Sequence, residues 1–500
     1  MMQLERTTSQ NEGRLARIGR GISILAITAG LGGCVAFSPD AGTAVPISLA
    51  YAELNKDAVK ITNEAEAISA QARVDKLLKA TVTADAAVQI ALLNNRGLQA
   101  SYNDLGLAEA QMVAASLPPN PRFAISRLTG RLETEIERTV VASLFALATL
   151  PARREIAADT FRDAQLKAAE ATFKLAADTR RQFYRTVAAN QQTGYLQQAV
   201  ATSEATSELI KRLGESGGMN KLEQAREHAL YAETTAQLAK ARLRQKVERE
   251  RLIRLLGLWG KDIALQLPAS LPPLPARLQT AKEIEAQALK KRIDLQIAKG
   301  DLDILAKRLG LTQATRFVND VDLLGRRTAD RKNIFTVDGD GGVQVEREKR
   351  NLKTLEFEFE IPLFDFGQSK VAAAEQTYLA GANRLAEKAV NVRSEAREAY
   401  TGYRGTYDIA KHYQNQVLPL RKIIQDESLL QYSGMLIDVT TLIVDARARI
   451  LSNAQAVEAR RDFWIASVDL KHVVIGGGSG GGSSSGGAAV AASEGAAAAH

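Results

Sequence analysis

From residue 153 to 213 the chain holds no proline and only one glycine, Gly194. A helix over that stretch rises 1.5 Å per residue and reaches roughly 90 Å, longer than one compact domain is wide. It must therefore lie against partners along its whole length. The run stops at Gly217-Gly218-Met219, a tight turn whose glycines tolerate positive φ. Asn220-Lys221-Leu222-Glu223 then reads as a capping box opening a second helix. Leu222, Ala225, Ala229, Ala232, Ala236, Ala239 and Leu243 recur at alternating steps of three and four, the spacing of a coiled-coil seam.

The same order of parts recurs. Residues 83–260 and 280–475 each open with a helix, pass through strand-like stretches around a charged loop, and enter a very long helix. Leu150-Pro151 and Ile361-Pro362 end the second strand-like stretch of each half. Gly218-Met219 and Gly434-Met435 break the long helices, at the same distance from Tyr184 and Tyr400 respectively. Such shared spacing favours duplication. Val439, Ile443, Ala446 and Ile450 carry the seam rhythm in the second half. The expected organisation is a signal peptide (1–33), a lipid-anchored segment (34–79), a first repeat (80–266), a proline-rich linker (267–278), a second repeat (279–475) and a tail (476–500). The Gly/Ser/Ala-rich tail reads as disordered; whether it is natural or added stays open.

Arg14, Arg17 and Arg20 precede an apolar run over 22–31 that is too short to span a bilayer. With small residues before Cys34, the chain's only cysteine, this is a secretory signal. Leu31-Gly32-Gly33-Cys34 resembles a bacterial lipobox, which implies a lipidated Cys34, and Val35 after it points to the outer membrane. A lone cysteine excludes an intramolecular disulfide.

Leu355, Phe357, Phe359 and Ile361 alternate with Glu356, Glu358 and Glu360, a strand with one apolar and one acidic face. The glutamates suit a water-filled lumen and the apolar residues suit lipid, although a soluble amphipathic sheet shows the same local pattern. Further strands are expected over 122–127, 139–147 and 316–324. About four strands per chain cannot close a barrel, because open edges do not survive in lipid. Three chains would supply about twelve.

The net charge of +8 is interleaved along helical segments, which fits a solvated helix surface better than nucleic-acid binding. Abundant alanine and few aromatics favour closely packed helices. His228, His412, His472 and His500 lack metal-ligand spacing to one another or to Cys34. No phosphate-binding glycine loop or nucleophile elbow is present. The residues point to no enzyme, cofactor or metal.

Phe359-Glu360-Ile361-Pro362-Leu363-Phe364-Asp365-Phe366-Gly367 resembles the strand end "IPLFD.G" of TolC-type outer-membrane efflux proteins, in their lipidated branch. Tyr432-Ser433-Gly434-Met435 with Val444-Asp445-Ala446-Arg447, and Leu255-Leu256-Gly257, are similar to other pieces of that family. The resemblance covers nearly all of 83–474. It implies a mainly α fold with a small β part: a trimeric transmembrane β-barrel of about four strands per chain, continuous with a long periplasmic α-helical barrel. It also implies a homotrimer in outer-membrane lipid, partnered by a periplasmic adaptor and an inner-membrane transporter.

Asp445 matches an acidic position that narrows the periplasmic entrance in relatives. One turn earlier, where some relatives are acidic, stands Leu442, and Asp438 is a nearby substitute. The alternative for Asp445 is a solvent-facing carboxylate paired with Arg449. Gly217, Gly218, Met219, Gly434 and Met435 are expected at the adaptor-contacting hairpin tips, or as simple turn residues. In the first half, Leu150-Pro151-Ala152-Arg153-Arg154 departs from the family's strand end.

The expected function is a passive exit duct in a tripartite efflux system. The rivals are a periplasmic lipoprotein adaptor or scaffold with coiled-coil hairpins, and a soluble helical binding protein. Lipidation is directly testable: cells given radiolabelled palmitate should label the wild-type protein, and Cys34→Ala should abolish the label. Labelling that survives the substitution would refute the lipobox reading.

Overall fold

The computed structural model describes residues 37–278, 283–337, 339 and 343–478. The signal segment, Cys34 and residues 479–500 of the tail lie outside the described residues. The chain divides into two compact units, each drawing on both halves of the sequence. One comprises Gly106–Phe161 and Ile304–Gln376 with the described residues before Thr43, and the other comprises Thr43–Leu105, Arg162–Asp303 and Thr377 onward.

In chain order the helices are α1 (Ala44–Leu54), α2 (Glu64–Leu78), α3 (Ala84–Asn94) and α4 (Arg96–Ser116). Strands β1 (Arg122–Thr129) and β2 (Glu133–Ser143) follow, then α5 (Leu144–Ala148), α6 (Leu150–Glu215) and α7 (Lys221–Leu256). The second half contributes α8 (Ile284–Lys291), α9 (Ile293–Ala314), β3 (Val321–Val337), β4 (Val343–Phe359), α10 (Gln368–His412), α11 (Leu418–Ser433) and α12 (Val439–Ile475).

The first unit holds one antiparallel sheet in the order β1-β2-β3-β4. Four strands are as expected, but the charged loops are not loops. β2 begins at Glu133, and β3 and β4 pair from Val321↔Phe359 to Val337↔Val343. Hydropathy conceals this extension, because both faces are charged there. The period of two survives in the sign of charge: Glu346, Arg347, Glu348 and Lys349 alternate acid and base. Residues 316–320, expected in a strand, precede β3; residues 144–147, also expected in a strand, lie in α5, and Leu150-Pro151 open α6 rather than end a strand, since proline fits the first turn of a helix. Among the described residues, no apolar side chain of the sheet is buried on either face: every residue of β1 is exposed, and so are Leu355, Phe357 and Phe359 of β4.

At the end of β4 the Ile361–Gly367 segment turns the chain into α10. Asp365 accepts from the Gly367 amide (2.9 Å) and from the Ser369 hydroxyl (2.5 Å), tying down the helix entry. Gly367 has φ +72°, and a Cβ there would lie 2.2 Å from the Arg316 carbonyl oxygen. The motif is therefore a backbone requirement.

The second unit is helical. α6 is one unbroken helix of 66 residues, about 100 Å long. Its counterpart comprises α10 (45 residues), a five-residue π-helical segment (Tyr413–Val417) and α11 (16 residues). Pro419 cannot donate an intrahelical bond, and the π segment directly before α11 absorbs that lost register. A core formed by Ile90, Leu93, Phe183, Val187, Leu252 and Leu256 joins α3, α6 and α7. Trp464 stacks on Tyr184 at 5.4 Å. The proline-rich linker is packed: Trp464 Nε1 donates to the Pro272 carbonyl and the Tyr407 hydroxyl to that of Pro275, each at 3.1 Å.

The seam expected on α7 is not the one buried within the chain. Leu222, Ala225, Ala229, Ala232, Ala236, Ala239 and Leu243 are all exposed. Glu227, Leu230, Thr234, Leu238, Ala241, Glu248 and Leu252 are buried instead. Both stripes have helical spacing, and the buried one is chosen by its partners: Leu230 packs with Ile210 and Ile443, Leu238 with Leu196, and Leu252 with Phe183 and Val187.

Leu255-Leu256-Gly257 closes α7 because its glycine adopts the left-handed conformation. Gly257 caps the helix at φ +67°, and the Asn94 side chain donates to its carbonyl at 2.8 Å. A Cβ would sit 2.8 Å from the Asn94 carbonyl oxygen. Gly257→Ala should therefore cost at least about 1–2 kcal/mol, read as a lower thermal midpoint by circular dichroism; an unchanged midpoint would contradict the cap.

Candidate functional site

The second unit brings the two hairpin tips together. Ile210 of α6, Leu230 of α7 and Ile443 of α12 form one buried cluster, against which Met219 and Tyr432 pack. Each tip is closed by a polar cap. Asn220 accepts from the Glu223 amide at 2.9 Å, as the capping box requires. Asp438 accepts from the Thr441 amide (2.9 Å) and hydroxyl (2.7 Å), so its carboxylate caps α12.

The expected tip residues differ in their surroundings. Gly217 takes positive φ (+79°), whereas the second tip assigns the left-handed conformation to Met435 (φ +59°) rather than to Gly434 (φ −82°). Met219 turns into the packing between hairpins, while Met435 is 94% exposed beside an exposed Leu436. Gly217, Gly218 and Gly434 are exposed.

Asp445, on α12, is half-buried and accepts from the Ser428 hydroxyl of α11 at 2.5 Å. The Arg449 guanidinium bonds the Gln425 side chain, leaving Asp445 held by a neutral hydroxyl. Leu442, one turn before Asp445, lines a cavity of about 550 Å³ between the hairpins, with Tyr195, Leu230, Leu429, Ile443 and Arg449.

Glu227 also lines that cavity, and sequence reasoning missed it. It is 1% exposed, and its Oε2 has no hydrogen-bond partner among the described residues. Burial pushes its carboxyl above the ordinary range, with Arg447 pulling the other way. Its place on the leucine stripe was the available signal: an acid in line with Leu230 and Leu238, as Glu248 is further along.

In the first unit, Glu356 and Glu358 share one face of the sheet with Glu137 and Asp322. Arg326 lies between two of these carboxylates, 3.1 Å from Glu137 and 3.9 Å from Glu356. Arg122 pairs with Asp322 at 3.3 Å on the same face. Glu360 lies one residue past β4, its amide donating to the Asp320 carbonyl at 3.4 Å. No helix among the described residues is long and apolar enough to cross a membrane, and no group of three or more potential metal ligands is found among them.

A small four-stranded sheet, paired long helical hairpins and capped, mutually packed tips define the class: the chain has the fold of the TolC-like outer-membrane channels. No protein-family model matches the sequence, and no curated protein is significantly similar to it. Among solved structures, the CmeC outer membrane channel of Campylobacter jejuni is 14% identical, with a TM-score of 0.65 over 82% of this chain and 87% of that one. The MtrE outer membrane channel of Neisseria gonorrhoeae, in its open state, is 16% identical, with a TM-score of 0.62 over 81% and 89%. The outer membrane protein VceC of Vibrio cholerae is 14% identical, with a TM-score of 0.62 over 79% and 96%. At such identity the likeness is one of fold.

Because the folded-state pKa of Glu227 is raised, its protonated form favours folding, and that stability is lost as pH rises above the ordinary carboxylate value of 4.5. Glu227→Gln should therefore raise the thermal midpoint at pH 7 and leave it unchanged near pH 4. A loss of stability at pH 7 would show that the carboxylate is favourably paired.

Proposed function

We propose that this chain is the outer-membrane exit duct of a tripartite efflux system: a homotrimer that conducts small solutes passively, driven by an inner-membrane transporter through a periplasmic adaptor. The carrying observation is the sheet. Its outer strands β1 and β4 each leave one edge unpaired among the described residues, and many of its apolar residues stay exposed. Edge strands invite pairing with another chain, and three copies would give a closed barrel of twelve strands. The face bearing Glu356 and Glu358, with Glu360 just beyond it, would line the lumen.

The exposed alanine stripe of α7 supports the same reading, since small residues admit the close approach of a neighbouring helix. The two sequence halves would act as paired repeats, and Cys34 would anchor each subunit by lipid. Asp445 and Asp438 would stand at the entrance; three copies of Asp445 would repel one another and bias it towards opening. The exposed Met435-Leu436 tip is the better candidate for an adaptor contact, with Gly217, Gly218 and Gly434 shaping the turns and Met219 held inside.

Purified from membranes in detergent, the protein should run as a trimer that dissociates on heating and should form conducting pores in planar bilayers. Ala236→Glu, on the exposed α7 stripe, should weaken the trimer at least tenfold while each subunit keeps its helical content. A monodisperse, non-conducting monomer would refute the duct and leave the adaptor or soluble-protein reading.

A further inference from the structure

The register sorts the sheet's charges by face. On the face opposite Glu356, residues Phe123, Val140, Leu323, Leu355, Phe357 and Phe359 form an apolar belt. Towards the β3–β4 hairpin, the next row across three strands is Arg138–Arg327–Lys353, followed by a row with Arg127 and then one with Arg331 opposite Lys349. Arg347 lies one row further, before Phe335 and Val345. No carboxylate occupies this face anywhere along the four strands, because every acid of the strands falls on the other.

These cations are all exposed, and none forms an ion pair among the described residues. On the opposite face, by contrast, Arg122 and Arg326 are neutralised by Asp322, Glu137 and Glu356, and Lys332 and Arg350 stand directly opposite acids, Glu133 and Glu348 for the first and Asp330 for the second. Neighbouring strands lie about 4.8 Å apart, so Arg138, Arg327 and Lys353 form a ladder of directly opposed like charges, an arrangement that destabilises a sheet unless an anion is shared. The band extends about 20 Å along β4, from Lys353 to Arg347 at about 3.3 Å per residue.

We propose that this band docks the phosphate groups of a phosphorylated glycolipid in the leaflet facing the β-hairpin ends, while the adjoining belt meets its acyl chains. The inference rests on the membrane-barrel reading given above. Charge complementarity selects the occupant: arginine forks match phosphate oxygens bidentately, and an unbroken apolar belt beside them requires a ligand that is anionic at one end and apolar at the other. A soluble acidic protein would satisfy only the first requirement.

The full-length protein, inserted into phosphatidylcholine vesicles containing lipid A or the same lipid A stripped of its phosphates, tests this. After detergent extraction, mass spectrometry of the retained lipid should show at least tenfold more lipid A than dephosphorylated lipid on the wild-type protein. The combined substitution Arg138→Gln, Arg327→Gln and Lys353→Gln should remove that preference, whereas the three lysine-for-arginine or arginine-for-lysine exchanges should largely keep it. Equal retention of the two lipids by an inserted wild-type protein would overturn the proposal and spare the barrel. Failure of the wild type to insert in any vesicle would overturn the barrel reading and the proposal with it.

Discussion

Backbone amides and carbonyls at the edge of a β-sheet need partners, and among the described residues this sheet has two edges left over. The sheet also lacks a covered face: Phe123, Ile125, Leu355 and Phe357 stay more than half exposed. A soluble antiparallel sheet ordinarily packs one face on a core. Neither requirement is met inside one copy, so the rest of the reading depends on what meets them outside it. A closed ring of such sheets in lipid satisfies both at once, by pairing the edges and covering the apolar face.

The helical unit shows the same incompleteness in milder form. Its internal contacts are extensive, with aromatic stacking of Tyr184 on Trp464 and a linker bonded through Pro272 and Pro275. Yet α7 presents a second stripe, all small residues and leucines, to solvent. Two helical seams on one helix suit an element that packs against its own chain on one side and a neighbour on the other. At the tips, buried Glu227 and half-buried Asp445 place carboxylates where helices meet, which leaves the packing there less stable than an all-apolar contact. In the proposed duct, such a weakness would ease the opening of the entrance.

Charge is organised by strand parity in the sheet. Acids share the face proposed for water with the cations that stand opposite them, and the cations with no opposing acid share the face proposed for lipid. Because side chains alternate strictly along a strand, a shift of register by one residue would exchange these populations. The three-strand ladder at Arg138, Arg327 and Lys353 is thus a product of register.

Periodicity and punctuation made much of this legible in the sequence. The absence of proline over 153–213 dictates a long helix, Asn220 opens a capping box, and Gly217 occupies the left-handed position its turn needs. These are local rules, acting over a few residues. What the tertiary structure alone decided is which of two equally periodic stripes is buried on α7, how far β2, β3 and β4 run into charged sequence, and that Arg326 stands between Glu137 and Glu356. Each of those depends on partners distant in sequence, whose contact energies no local pattern encodes.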